Sequence, residues 1–384
     1  MPEPIPYGKQ DISKSDVDAV VEVLRSDWLT QGPIVPAFEK AVANKCKSQS
    51  AVAVNSATSA LHIACLALGV GSGDTVWTSP NTFVATANCA RYCGATIDFV
   101  DIDPDTWCLS IEKLQQKLEE HQASRCSIPK VVIPVHLSGQ SCDMQSIYEL
   151  GQQYGFKIIE DASHAIGGTY QNEPVGNCKY SDITVFSFHP VKIITTGEGG
   201  MALTNDPEIY EHMARLRSHG ITSNPKHMTI ESSEPWYYEQ IELGFNYRMT
   251  DIHAALGLSQ LERLEEFVEK RNKLTQNYEE AFADAPIQMQ TVPEEVYSAR
   301  HLYVIRVPKH QHLSLFEKFR REEIRVNLHY MPVHLQPYYR KLGFQLGDFP
   351  EAEKYGKEAI SLPLFLKLTA DKQNRVIAIL NFFF

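Results

Sequence analysis

No CxxC pair occurs among the eight cysteines of this 384-residue chain. Cys46, Cys65, Cys89, Cys93, Cys108, Cys126, Cys142 and Cys178 are scattered, several of them in apolar contexts. Reduced thiols of a cytoplasmic protein are therefore expected, and a disulfide frame is not. Basic charge is also short: 36 Lys and Arg against 47 Asp and Glu leave a net charge of −11. That balance excludes the electrostatic footprint of a nucleic-acid protein. No apolar run approaches membrane-spanning length. Met1-Pro2-Glu3-Pro4-Ile5-Pro6 has neither a basic nor an apolar stretch, so a secretory leader is not expected. Repeats and low-complexity segments are missing too. What remains, 43% hydrophobic and 22% charged, is an ordinary globular composition. The length predicts about two to three domains.

The chain is organised around Val185 to Gly200. Ile183 to Phe188 is β-branched and aromatic and reads as a strand. Pro190 breaks it, and Gly197-Glu198-Gly199-Gly200 closes a turn. Lys192 stands in the break between Val191 and Ile193-Ile194. Apolar neighbours disfavour an ammonium and leave more free amine, the nucleophile for a carbonyl. The plain alternative is a surface lysine whose stem packs on the strand end.

Two further stretches bear on that choice. Ile158-Ile159-Glu160-Asp161 reads as a strand ending in a carboxylate, placed to pair with a protonated ring nitrogen. Asn55-Ser56-Ala57-Thr58-Ser59-Ala60 lies between the strand Ala51 to Val54 and a helix, which makes it an anion site. Lysine, aspartate and a phosphate cradle are the parts that pyridoxal phosphate (PLP) requires.

Strands and helices alternate through the first two thirds. Strands are expected at Thr75–Trp77, Thr96–Val100, Val131–His136, Lys157–Glu160 and Met201–Thr204. Helices are expected from Ser13 to Leu24, Val35 to Ala43, Ile111 to Leu118, Met144 to Tyr154 and Glu208 to Ser218. That order predicts an α/β fold: a mostly parallel sheet with helices on both faces and its site at the carboxyl ends of the strands. Gly69 to Asp74 closes a helix rather than following a strand, so it is a turn and not a dinucleotide loop. Gly32-Pro33 is open between turn chemistry and a ligand role. Phe83 is open between core packing and stacking on a cofactor ring. Gly220 to Glu242 is a long polar loop. One long helix is expected from Asp251 to Ala283, with the domain boundary inside it. A large domain then spans 1–260 with the N-terminal arm, and a smaller α+β domain spans 261–384. In the latter, strands are expected at His301–Val307 and around Val326–His334, and helices at Leu313–Glu322, Ala352–Ile360 and Lys372–Phe382. His329 and His334 match no strong ligand spacing, and no metal is expected.

These stretches resemble the DegT/DnrJ/EryC1/StrS family of sugar aminotransferases, PLP enzymes of fold type I. Leu29 to Gly32, Asn55 to Ala60, Pro80 to Asn88, Glu160 to Ala165, Phe186 to Lys192, Thr196 to Gly200, Gly244 to Asp251 and Val326 to His334 carry the likeness. It runs over nearly the whole chain. Within the family, Trp236 to Gln240 and the His329–His334 stretch are most similar to transaminases of the pseudaminic acid pathway.

The resemblance implies that Lys192 carries PLP covalently and acts as the catalytic acid and base. Asp161 would pair with the pyridine nitrogen, His164 would lie near the phenolic oxygen, and Phe83 would stack on the ring. Ala57, Thr58, Ser59 and Ser187 would hold the phosphate. Asn246 would reach the phosphate of a neighbouring subunit, which makes the unit a homodimer. Tyr7, the loop Asp27, Trp28, Leu29 and Thr30, and the stretch Leu328, His329, Tyr330 and Met331 would line a sugar-nucleotide cleft. Arg248 would meet substrate phosphates or a carboxylate, or else form a structural salt bridge. The implied reaction aminates a UDP-linked 2-acetamido-2,6-dideoxy-4-hexulose with L-glutamate. Another keto sugar, aminated at C3 or linked to dTDP, is the alternative, and a cofactor-bound sensor without turnover is the non-enzyme one. Family 3-dehydratases carry histidine at the lysine position, so Lys192 favours transamination. Arg300 and His253 depart from the family's usual tryptophan and glutamine.

Overall fold

Seven strands form the central sheet, in the spatial order Ser50–Val54, Gly200–Thr204, Ile183–Ser187, Lys157–Asp161, Val131–Ile133, Thr75–Thr78 and Thr96–Phe99. The structure, a computed structural model, describes residues 3–230, 232 and 234–384. Met1 and Pro2 of the arm, and Glu231 and Ser233 of the long polar loop, lie outside the described residues.

Alternate residues of the inner strands enter different cores. Val52, Val54, Ile183 and Val185 pack with Leu61 and Ile63 on one face. Ala51, Ala53, Phe186 and Met201 pack with Phe38, Val42 and Phe267 on the other. Both faces are therefore dry, which explains the apolar strand runs. The sheet is mostly parallel, as the alternation predicts. Gly200–Thr204 alone runs against both its neighbours. Only the Lys192 loop joins it to Ile183–Ser187, and that loop holds no crossover helix, so the chain returns antiparallel.

The long helix expected after Thr250 is two helices, Asp251–Leu261 and Leu264–Ala281. The apolar stripe runs through the break, so periodicity does not reveal it. The break is held from outside: the Arg263 guanidinium at the turn donates to Asp16 at 2.6 Å and to Asp11 at 3.1 Å. The first helix packs on Lys14–Arg25 and Ile34–Cys46. The second sends Leu274, Tyr278 and Phe282 into a separate C-terminal core.

That core backs an antiparallel sheet ordered Gln288–Met289, Tyr303–Arg306 and Ala359–Leu362. The helix expected over Ala352–Ile360 ends at Glu358, and Ala359 starts a strand. Gly356 weakens the last turn of that helix, and pairing with Tyr303–Arg306 carries the chain on as a strand. Ile5 joins the same core through a bridge to Ile324. Leu364 N–H donates to Tyr7 O at 3.0 Å, which carries the arm along the C-terminal sheet. The long polar loop is partly ordered by Glu239, whose carboxylate accepts the amides of Thr229 and Ile230 at 2.7 and 2.8 Å. No described helix is long and apolar enough to cross a membrane.

Candidate active site

Strand ends on one edge of the sheet surround a cavity of about 800 Å³. Lys192 comes from the loop after Ile183–Ser187, and His189 O accepts its amide at 2.9 Å. The loop is clamped at its base, where Phe188 N–H donates to Gly199 O at 2.9 Å and Thr196 N–H to Phe188 O at 3.0 Å. Burial lowers the Lys192 ammonium to about 8, against the opposing pull of Asp161. About a tenth of the amine is then unprotonated at pH 7, far more than for an ordinary lysine near ~10.4.

Asp161 ends its strand and is 5% exposed. Its Oδ2 accepts from Thr86 Oγ1 at 2.6 Å and its Oδ1 from the Ser163 amide at 3.1 Å. Thr86 stands one turn into the helix Val84–Tyr92, and Thr82 supports it through a 2.7 Å hydroxyl contact. The adjacent Glu160 points away and binds His136 at 2.7 Å. Strand alternation thus separates two neighbouring carboxylates.

The helix Ala57–Ala67 opens on the same cavity. Ser56 caps it by accepting the Ser59 amide at 3.2 Å, which leaves the first-turn amides of Ala57 and Thr58 for an anion. Gly200 passes so close that a Cβ there would lie 2.4 Å from Ala57 N. Its strand partner Ser187 also reaches the cavity. The donor set therefore suits a phosphate at one end and a protonated ring nitrogen at the other, with a nucleophilic amine between them.

Three histidines join this wall. His164 Nδ1 accepts the Ser138 amide at 3.3 Å, which puts the single proton of the neutral ring on Nε2, 3.2 Å from Tyr330 Oη. Burial and the Lys192 charge keep His164 well below the usual imidazole range. His329 binds Ser361 Oγ at 2.8 Å, and burial beside Lys192 pushes it down to about 4. Its ring lies 5.1 Å from Tyr7. His301 packs 4.4 Å from His164. Burial raises the Tyr7 and Tyr330 hydroxyls, so both stay protonated donors.

Ala57, Thr58, Ser59, Phe83, Asp161, His164, Ser187 and Lys192 thus meet around one cavity, and Tyr7, His329 and Tyr330 join them. Phe83 is 57% exposed, so its ring is not core packing. Asn246 is exposed, beside Asn55 at the rim. Arg248 pairs its backbone with Val54 and forms no ion pair among the described residues. Asp27, Trp28, Leu29 and Thr30 are exposed and stand away from the cavity, with Thr30 bridged to Thr250. Leu328 packs inward with Trp107 and Tyr355, and Met331 is exposed. Gly32 is a turn residue: a Cβ there would meet Asp251 Oδ2 at 2.2 Å. His334 turns to Glu353 at 3.2 Å, away from His329. Thr86, His189, Glu198, His301 and Asn327 line the cavity with no role read from the sequence. For Thr86 the signal was its position three residues beyond Phe83. For His301 there was none, because only folding brings it to His164.

A profile of the DegT/DnrJ/EryC1/StrS aminotransferase family matches residues 10–381. The spore coat polysaccharide biosynthesis protein SpsC of Bacillus subtilis is 39% identical over 380 residues, covering 97% of this chain and 95% of that protein. The structure of Helicobacter pylori PseC, an aminotransferase involved in the biosynthesis of pseudoaminic acid, superposes with a TM-score of 0.90. It is 30% identical and covers 100% of this chain and 99% of that one. Spr1654 of Streptococcus pneumoniae, solved in its PLP form, gives a TM-score of 0.88 at 30% identity over 100% of both chains.

Proposed function

The chain belongs to the DegT/DnrJ/EryC1/StrS aminotransferase family, and from that premise we propose that it transfers the amino group of L-glutamate to the C4 keto group of a UDP-linked 2-acetamido-2,6-dideoxy-4-hexulose, in pseudaminic acid biosynthesis. It is a PLP-dependent sugar aminotransferase. The observation that carries the reading is the Lys192 amine, lowered to about 8 inside a cavity that also holds Asp161 and an open helix N-terminus.

PLP, when bound, supplies an electrophilic aldehyde and a ring that takes up electrons. In this reading Lys192 would be its covalent anchor and Asp161 would pair with its ring nitrogen. His164 would serve its phenolic oxygen, and Phe83 would stack on the ring. The Ala57 amide, Thr58, Ser59 and Ser187 hold its phosphate. The released Lys192 amine takes the Cα proton of the amino donor as base and returns a proton to C4 of the sugar as acid. Neutral His164 and His329 leave Lys192 as the switchable charge on that wall.

The sugar nucleotide enters past Tyr7 and the stretch Leu328 to Met331. Asp27 to Thr30 and Arg248 do not line this chain's own cavity, and in this reading they serve, with Asn246, the sugar-nucleotide cleft of a second copy of the chain. Exposed Trp28, Leu29 and Leu243, at 57, 48 and 81%, support burial against such a copy. The UDP-4-keto sugar is supported by the likeness to PseC. A different nucleotide keto sugar is the second reading, supported by the likeness to SpsC. We place the reaction in the cytoplasm.

The test is a visible absorption spectrum of the purified protein. A yellow band that L-glutamate bleaches, and that the UDP-4-keto sugar restores, is the expected result. Restoration by a dTDP-linked sugar alone would move the assignment to the second reading. No band after incubation with PLP would refute it.

A further inference from the structure

His301 is the buried titratable group in this cavity that the reaction above leaves without a role. It is 4% exposed and lines the Lys192 wall. Its Nδ1 is sealed from solvent and has no hydrogen-bond partner among the described residues. Burial, reinforced by His164, Lys192, Arg271 and His329, holds the ring neutral. A neutral imidazole carries one proton. On Nδ1 it would be a buried donor with nothing to donate to, a costlier defect than a bare lone pair. The proton therefore sits on Nε2, which is not sealed, and faces the cavity that the ring lines.

Behind His301 lies Arg271, 2% exposed. Its Nη1 donates to the carbonyls of Leu364, His301 and Arg300 at 3.1, 3.2 and 3.4 Å. No carboxylate pairs with it among the described residues, so a fixed positive charge is bolted to the His301 backbone. A neutral donor with an uncompensated cation behind it favours an anionic acceptor. With the Ala57 and Thr58 amides assigned to the cofactor phosphate, the cavity has few other anchors for an anion: none of the described residues lining it is an arginine, and Lys192 is its one lysine. The donor also lines the same cavity as Lys192, where the amino donor must react.

We propose that His301, backed by Arg271, binds a carboxylate of the amino donor. The inference rests on the transaminase reading. It assigns to this chain a task that the rim residue Arg248, from a second copy, would otherwise perform.

The experiment titrates the purified holoenzyme with maleate, a dicarboxylate that has no amine to react, by calorimetry. It compares wild type, His301→Leu and His301→Asn. Loss of one hydrogen bond to a charged group predicts about tenfold weaker maleate binding for His301→Leu. His301→Asn keeps an N–H donor and should recover most of the affinity. KM for L-glutamate should rise in parallel, with KM for the keto sugar unchanged. Should the leucine variant not fold, His301→Phe keeps the ring volume and makes the same comparison. Equal maleate affinity in wild type and the donorless variant overturns the assignment. So does a rise in KM for the keto sugar alone, or loss of maleate binding in Arg248→Leu but not in His301→Leu. A wild-type band that ignores glutamate is a separate result, seen before any variant is made, and it refutes the transaminase reading itself.

Discussion

Thr86 donates its hydroxyl to Asp161 Oδ2 across 2.6 Å, from a helix to the end of a neighbouring strand. With the Ser163 amide on Oδ1, both oxygens of the carboxylate are engaged. The two donors fix the orientation of the carboxylate that is proposed to face the ring nitrogen. Thr86→Val should therefore weaken PLP binding about tenfold, the value of one bond to a charged group. Thr86→Ser should not. A PLP titration followed by absorbance decides, and equal affinity in the valine variant would count against this role.

Lys192→Ala should abolish the visible band that depends on the covalent anchor and cut turnover about a thousandfold or more. The far-ultraviolet circular dichroism should be unchanged, since the lysine loop is clamped by backbone bonds from Phe188 and Thr196. Full turnover in that variant would sink the assignment.

Acid should weaken the fold through the cavity histidines. His329 is held at about 4, and burial holds His164 and His301 below their ordinary range. An unfolded histidine titrates near ~6.5. As pH falls from about 6.5 towards 4, the unfolded chain takes up protons that the folded one refuses, so stability drops. Lys192 works in another window. Its amine is lowered to about 8, so raising pH from there towards the unfolded value near ~10.5 stabilises the cofactor-free fold. Denaturant midpoints measured from pH 4 to 10 give both slopes. His329→Asn should flatten the acid one.

Gly200→Ala tests the anion cradle. The new Cβ would lie 2.4 Å from Ala57 N and 2.6 Å from Ala57 Cα, both backbone atoms that cannot swing aside. We expect a loss of about 3 kcal/mol of stability, in the range of core overpacking, and weaker binding of inorganic phosphate. Thermal melting with and without phosphate measures both. An unshifted melting temperature would show that the strand can move away.

Mixed subunits test the partner's contribution. Lys192→Ala and Asn246→Ala each disable a different half of a shared site. Co-expressed, they should regain activity in the heterodimer, which holds one site with both residues intact. Mixtures as inactive as the parents would remove Asn246 from the neighbouring site.

The parallel sheet was legible because its inner strands are dry on both faces and several end in a polar junction. Asp161, Ser187, Phe83 and the Ala57 turn all stand at such junctions. The direction of Gly200–Thr204 was not legible, since strand sequences carry no sign of orientation. Nor was the switch at Ala359, where burial against Tyr303–Arg306 overrides a helical pattern. Within the site, residues carried by local motifs could be read. His301 could not: it gains its meaning from His164, 4.4 Å away in space. The Asp27–Thr30 loop and Met331 do not line the cavity, and no local pattern distinguishes such exposed residues from lining ones.

The arm beside the C-terminal sheet has a consequence for synthesis. Tyr7 leaves the ribosome early, yet its carbonyl waits for the amide of Leu364, and Ile5 waits for Ile324. His329 waits likewise for Ser361. Two residues of the cavity wall, Tyr7 and His329, are therefore braced only by a stretch made long after the arm. A nascent chain can fold its central sheet around Lys192 while the pocket still gapes. Without the stretch from residue 359 onward, His329 would lack Ser361 and the Tyr7 carbonyl would lack the Leu364 amide, so two cavity residues would lose their support beside a reactive amine.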